Sequence, residues 1–474
     1  MTRVIQNYLY NLGYQAITLI LPFLIIPYLT RVLGPGNLGI EAYTMSIISI
    51  VTTFATAGTN LYAIRLVASL RDNIFELKKA IYTLLFFRII FGSTVILAFF
   101  IFTMNSQYKT FLLLQGIYLV SSTLLDCTWY FSGKERFKDL TVRNLVIKFV
   151  GFLLTIIFVK DASDLNIYII INGITLLLPN LYFVFILVKE MGLPELKYFN
   201  INNFKTIFIE ILPFFLIALT IQIYMNFDRL VIEHYGLTYE LGIYNQILKA
   251  ITVFLAPITA LGTILMPYIS NLKMSKEKSN IEQTIFISTN AIFLIGIPMF
   301  FGLIIISEQF VHYYFGNEFS NYTNVFRMGC ILILTGCINN IVINQVILPN
   351  LHEKIYIKGL VIATLIRFLV IQLLINKYGV VTAIIGYILG EVFLLSWCTM
   401  KVKKINNLVP MLFNLNNLKI IGAGFIMFLI LSFLKSNMVI DILLGIIIYL
   451  TSLVILQENM MKKLFLILKK KTIL

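Results

Sequence analysis

Fourteen stretches of roughly twenty apolar residues recur along the chain, and no other feature narrows its fold as much. They run 5–29, 39–60, 80–102, 111–131, 141–160, 165–188 and 206–228, then 242–268, 285–306, 325–348, 357–376, 380–400, 418–434 and 438–457. A helix needs about 20 apolar residues to cross a bilayer, whereas an outer-membrane strand needs about ten of alternating polarity. Each stretch therefore predicts a membrane-crossing helix, and the whole predicts an all-α integral membrane protein of about fourteen transmembrane helices. Composition agrees: 59% of residues are hydrophobic and 12% charged, against about 45–50% and 25% in soluble domains. The connectors that remain average about a dozen residues, too short for a soluble catalytic or nucleotide-binding domain. No G-x-x-x-x-G-K-[ST] loop occurs either, so ATP-driven pumping by this chain alone is excluded.

The formal charge of +15 would suggest nucleic acid in a soluble protein. Here its distribution gives the orientation instead, because cytoplasmic connectors collect Lys and Arg. Counting connectors alternately from the N-terminal tail, one set carries 26 basic residues and the other 7, and the alternation holds throughout. This predicts a multi-pass membrane protein with both termini in the cytoplasm and no nucleic-acid partner. The N-terminal run to Leu29 is too long for a signal peptide and reads as a retained first helix. Cys127, Cys330, Cys337 and Cys398 all fall in apolar stretches and read as small buried hydrophobes. His234, His312 and His352 stand on separate connectors. No metal site, catalytic group or cofactor is expected.

Charges inside spans are costly, about 2.5–3.5 kcal/mol each at a helix centre, so each requires a reason. The cations are Arg88, Lys148, Lys249 and Arg367; the anions are Asp126, Glu210, Asp228 and Glu391, with Glu41 near a span entrance. Snorkelling or internal pairing suits those near a predicted end, namely Glu210, Lys148 and Asp228. Deep cations in both halves of the chain favour a polar cavity for an anionic ligand. Gly386-x-x-x-Gly390 is a small-residue face suited to close helix packing. Leu38-Gly39-Ile40 and Leu241-Gly242-Ile243 recur at an offset of 203 residues. The match suggests two parallel six-helix lobes, 1–190 and 205–404, with 411–474 forming two further helices and a basic tail.

Several motifs resemble one family. They are Asn7, Tyr28 to Gly34 (Y-L-T-R-V-L-G) with Pro35, Gly39 and Tyr43, and Asn60 with Arg65. There follow Asp126-x-x-Trp129-x-x-x-Gly133-x-Glu135, Arg143-Asn144, Asp228-Arg229 with Gly242-x-Tyr244, and Tyr378-Gly379 with Ala383, Gly386 and Glu391. Together they resemble the Wzx-type polysaccharide repeat-unit flippases of the MOP exporter superfamily, over roughly residues 1–400. The resemblance implies two pseudo-symmetric six-helix lobes around a cationic central cavity, plus two peripheral C-terminal helices. It implies movement of an undecaprenyl-diphosphate-linked oligosaccharide from the cytoplasmic to the outer leaflet by alternating access, for capsule, exopolysaccharide or O-antigen assembly.

Arg31, Asn60, Arg65, Asp126, Asp228, Arg229 and Glu391 match family motifs, whereas Arg88, Lys148, Lys249 and Arg367 are singled out by burial cost. The expected ligand-facing cations are thus Arg31, Arg65, Arg88, Lys148, Lys249 and Arg367. The expected gate or ion-coupling groups are Asp126, Asp228, Arg229 and Glu391, with Asp228 opposite Arg31 as a candidate outer gate. Expected partners are the lipid-linked oligosaccharide, membrane lipids, and the polymerase and glycosyltransferases of the same pathway. The rival readings are a teichoic acid precursor flippase, a MATE-type drug exporter and a membrane-embedded polysaccharide polymerase. A drug exporter would favour a carboxylate-lined cavity, and a polymerase a larger outer loop.

Overall fold

A computed structural model of the chain describes residues 21–195, 201–274, 278–350, 352–402, 412, 414–434 and 436–458. The two termini, expected in the cytoplasm, lie outside the described residues. Among those described there is no strand. Twelve helices are long and apolar enough to cross a membrane, and two shorter apolar helices, Leu21–Val32 and Asn144–Phe158, fall on the expected spans 5–29 and 141–160. Large apolar side chains such as Ile101, Phe185, Leu373 and Phe433 are exposed along these helices. That surface suits hydrocarbon and would be a liability in water.

The chain divides into two compact units, one up to Asn245 and one from Gln246. The first holds α1 (Leu21–Val32), α2 (Gly34–Thr56), α3 (Thr59–Leu70), α4 (Ile74–Thr103), α5 (Lys109–Leu124), α6 (Thr128–Gly133), α7 (Phe137–Phe158), α8 (Leu165–Met191), α9 (Ile201–His234) and the start of α10 (Thr238–Met274). Within it α2 packs on α4, α5 and α9, α5 on α8, and α3 on α6. The second unit continues with α11 (Lys278–Phe310), α12 (Thr323–Gly329), α13 (Ile331–Asn339), a π-helical turn Asn340–Ile347, α14 (Glu353–Tyr378), α15 (Val381–Val402), α16 (Leu415–Leu434) and α17 (Met438–Ile455). There α14 pairs with α15, while α16 and α17 pack on each other and on α11.

Three expected spans are not continuous α-helices. Span 39–60 breaks where Ala57 and Gly58 both turn left-handed, at φ 48° and 72°. Gly58 is needed there, since a Cβ would stand 2.5 Å from the Phe215 backbone nitrogen of α9. Span 111–131 breaks between α5 and α6, and span 325–348 passes from α to π geometry after Asn339. An apolar run fixes that a segment is buried or in lipid, but it does not record where side chains take over from the backbone ladder.

The two look-alike segments touch each other. A Cβ on Gly39 would lie 1.9 Å from the Thr238 carbonyl oxygen, and one on Gly242 would lie 1.9 Å from the Pro35 carbonyl oxygen. Each glycine thus faces the residue four positions before the other glycine, a reciprocal contact of the kind a twofold relation produces. Only two residues without Cβ let the backbones of α2 and α10 approach so closely. Gly39→Ala and Gly242→Ala should each cost about 1–3 kcal/mol by overpacking, read as a lower melting temperature in detergent. Gly36→Ala, with nothing within 4 Å of its Cβ, should be neutral or stabilising by up to about 1 kcal/mol.

Candidate functional site

A cavity of about 610 Å³ opens inside the first unit. Its walls come from six helices and the two breaks. The end of α2 supplies Thr52, Thr53 and Thr56, and the first turn of α3 supplies Asn60. From α5 come Tyr118 and Ser122, from α7 Asn144 and Lys148, and from α8 Thr175, Pro179 and Asn180. A largely apolar strip of α9 ends at Gln222, and Asp126 and Thr128 enter from the α5–α6 junction. Thr52/Thr56, Tyr118/Ser122 and Asn144/Lys148 are spaced four apart, so each pair shares one helix face. Seven hydroxyl side chains are set in a wall whose surface is otherwise mostly apolar; Thr52 Oγ1 and Ser122 Oγ approach to 3.4 Å.

The junction is built to satisfy backbone groups that a broken helix exposes. At the end of α5, Arg88 donates to the Thr123 carbonyl at 3.0 Å and Asn180 to the Ser121 carbonyl at 3.0 Å. At the start of α6, Asp126 Oδ1 accepts from the Thr128 N–H at 2.9 Å and its hydroxyl at 2.6 Å. Asp126 Oδ2 accepts from Asn60 at 3.4 Å, and the Trp129 indole donates to the Asp126 carbonyl at 2.9 Å. The charges suit their places, since a cation favours a helix C-terminus and an anion an N-terminus. Gly133 lets α6 lie against α3, because a Cβ there would stand 2.6 Å from Val67 Cβ. Glu135, left-handed at φ 58°, pairs with Arg71 at 3.0 Å. The D-x-x-W-x-x-x-G-x-E motif is therefore a membrane-buried helix restart, with Asp126 also facing the cavity.

Of the ten expected site residues, Asp126 and Lys148 line this cavity together. Arg88, 1% exposed and 6.0 Å from the Trp129 ring, is set into the packing around the junction. Arg65 is exposed and stacks on Phe214 at 5.0 Å. Arg31 is exposed and donates to the Pro27 carbonyl at 2.7 Å. Asp228, 2% exposed, accepts from the Tyr244 hydroxyl at 2.6 Å. Arg229 holds Asn245 at 2.9 Å and Asn226 at 2.7 Å, and Asn226 donates to Gln222 at 2.9 Å. A polar line along α9 thus runs from Arg229 to the cavity wall.

In the second unit, Lys249 is half-buried on α10. Arg367 of α14 is 2% exposed, with its guanidinium 4.1 Å from the Tyr387 ring. Its stem lies over Gly390, where a Cβ would meet Arg367 Cγ at 2.8 Å. The G-x-x-x-G face therefore makes room for an arginine as well as for a helix. Glu391 accepts from Asn339 across α13 and α15.

Most of the wall escaped the charge-based reading because threonine, serine and asparagine cost little enough in a span to pass unnoticed. Their four-residue spacing was the available signal. No group of three or more metal-ligating side chains occurs among the described residues. The wall can donate and accept hydrogen bonds widely, and it carries one ammonium and one carboxylate. That combination suits a hydroxyl-rich guest better than a bare cation. Arg88→Met should leave the Thr123 carbonyl unsatisfied and cost about 1–3 kcal/mol of stability in a thermal melt. Lys148→Met, on the open wall, should leave the melting temperature within about 0.5 kcal/mol equivalent of wild type.

Comparison with known proteins follows the same direction. The family described as polysaccharide biosynthesis protein matches residues 4–273. A protein of Shigella dysenteriae, described as a candidate O-antigen transporter, is 22% identical over 81% of this chain and 96% of its own length. Another of the same description from Escherichia coli strain K12 is 24% identical over 84% of this chain and 96% of its own. In fold, the chain is similar to a lipid II flippase MurJ in an inward closed conformation, at TM-score 0.69 and 15% identity, covering 96% of this chain and 99% of that one. It is also similar to an inward-facing multidrug resistance MATE transporter of the MOP superfamily, at TM-score 0.63 and 11% identity, covering 82% and 95%. With more than half of its length matched, the chain belongs to the polysaccharide biosynthesis protein family.

Proposed function

We propose that this protein is a flippase that carries an undecaprenyl-diphosphate-linked oligosaccharide repeat unit from the cytoplasmic to the outer leaflet by alternating access. The product would feed capsule, exopolysaccharide or O-antigen assembly. The observation that carries this reading is a cavity of about 610 Å³ in an apolar helical unit, with hydroxyls, amides, one ammonium and one carboxylate set in its wall. Sugars and phosphates cannot enter hydrocarbon because their hydroxyls and charges would go unsatisfied. A site of this size falls in the range of small-molecule pockets and offers partners for sugar rings. The candidate O-antigen transporters among its relatives favour the same substrate class. A drug exporter would gain little from a wall in which neutral hydrogen-bonding groups outnumber its single carboxylate.

In this reading Lys148 meets a phosphate or acidic sugar as a point charge. Arg31, Arg65 and Lys249, with the deeper Arg88 and Arg367, add to the positive field that draws the diphosphate. Asp126, Asp228, Arg229 and Glu391 are the candidates for gating or ion coupling. In this reading fourteen transmembrane helices form two six-helix lobes and two more, with both termini cytoplasmic and the protein in the inner membrane. The reciprocal Gly39–Gly242 contact supports the repeat. A membrane potential, negative inside, favours outward movement of an anion by roughly 2.3 kcal/mol per charge per 100 mV, so about 4–5 for two charges. The polymerase and glycosyltransferases of the pathway would be its working partners.

Two measurements test these statements. A topology reporter fused after Lys278 should read cytoplasmic and one after Glu318 external; reversal at either site removes the fourteen-helix arrangement. Lys148→Ala, Asp126→Asn and Asn180→Ala, made singly, should slow flipping of a lipid-linked oligosaccharide in proteoliposomes about tenfold or more. For Lys148 and Asp126 that is the expected loss of one charge-assisted hydrogen bond, roughly 1.5–3 kcal/mol, and for Asn180 the loss of its neutral bonds, about 1 kcal/mol each. Unchanged flipping in all three would discard the cavity as the sugar site.

A further inference from the structure

Glu233 belongs to neither the cavity nor the family motifs, and it lies beyond the expected end of its span at 228. It stands in the last turn of α9 and is 7% exposed. Its Oε1 accepts from the Tyr108 hydroxyl and from Thr238 Oγ1, the latter at 3.0 Å. Its Oε2 is buried without a hydrogen-bond partner. Glu233 borders a second cavity in the first unit, of about 470 Å³, shared with Tyr43, Gln107 and His234. The Tyr43 ring meets the Tyr108 ring edge-on at 5.3 Å. The titratable groups around the carboxylate are thus Tyr43 from α2, Tyr108 ahead of α5 and His234 from α9 itself; α10 contributes the neutral Thr238.

A buried carboxylate with two hydroxyl donors on one oxygen and none on the other is short of positive charge. A monovalent cation supplies what is missing, and hydroxyl, amide and carboxylate oxygens are the ligands hard cations prefer. The position gives occupancy a consequence. Thr238, which donates to Glu233, presents its carbonyl to Gly39 where α2 and α10 cross. Occupancy compensates the buried charge of Glu233, which stabilises the fold, and changes the charge that Tyr108 and Thr238 donate to, which alters the hold on the crossing.

We propose that Glu233 is a cation-binding site, taking a proton or a sodium ion, whose occupancy sets how firmly the α2–α10 crossing is held. Its use in coupling an ion gradient to transport rests on the flippase reading, but the binding does not.

The test uses the purified full-length protein in detergent, followed by thermal unfolding. A ligand that binds only the folded state raises the melting temperature with concentration. Sodium is titrated at pH 8 against a choline background, and pH is varied from 8 to 5 without sodium. Glu233→Gln keeps an oxygen for Tyr108 and Thr238 but carries no charge. A melting temperature that rises with sodium in wild type and not in Glu233→Gln identifies a sodium site. A rise on acidification that Glu233→Gln lacks, with no sodium effect, identifies a proton site. If Glu233→Gln does not fold, Tyr108→Phe should move the sodium or pH midpoint severalfold while still folding. Absence of any cation response in wild type, or identical responses in wild type and variants, overturns the proposal. Flipping that fails while the cation response persists would count against the transport reading alone.

Discussion

Hydrocarbon offers no hydrogen bonds, so every backbone N–H and C=O that leaves a helix ladder must be answered by the protein itself. The rest of this molecule is arranged around that requirement. Its first unit breaks two helices within the expected spans, at Ala57–Gly58 and at Leu125–Cys127. Each break is repaired by named groups. Thr59 Oγ1 donates to the Thr56 carbonyl at 2.7 Å, Arg88 and Asn180 serve the end of α5, and Asp126 serves the start of α6. The polar cavity lies beside both breaks, where the chain already bears the cost of placing polar groups in an apolar setting. Polar side chains are thus gathered where the backbone needed them in any case.

The same logic separates the charged residues by their work. Among the described residues, Arg88 and Arg367 are the most deeply buried cations, and both are held by aromatic rings, Trp129 and Tyr387. A guanidinium over a ring recovers part of its lost hydration through the ring quadrupole. Lys148 instead stands on the cavity wall on a flexible stem. Asp126 does both: one oxygen caps α6 and the other, bonded to Asn60, stands at the cavity. A substitution there disturbs packing and site together, which is why a neutral isostere tells more than alanine at that position.

The glycine crossing adds a third element. Gly39 and Gly242 bring α2 and α10 into backbone contact, and the polar groups just beyond them, Tyr108, Glu233 and Thr238, are bonded to one another. Close backbone contact gains dispersion energy over a small area and tolerates no added atom. A bonded carboxylate beside it makes that contact sensitive to charge. Tight packing and a titratable group at one end of two long helices are the ingredients of a movement that ions can bias.

The sequence by itself determined the membrane class, the all-helical fold, the approximate place of each long helix and the match between the Gly39 and Gly242 segments. Those follow from run length and from the rarity of charge in lipid, both of which are local properties of the chain. It also marked Asp126, Lys148, Arg88 and Arg367 as costly, because a charge in a span is conspicuous. Only the tertiary structure decided which of them share a cavity. That depends on the rotation of α5, α7 and α8 about their axes and on breaks that no hydropathy pattern encodes. It alone assembled the Thr52, Thr56, Ser122 and Asn180 wall, because neutral polar residues carry too small a transfer cost to stand out. It alone joined Glu233 to Tyr108, 125 positions apart: a hydrogen bond between distant segments leaves no trace in the spacing of either one.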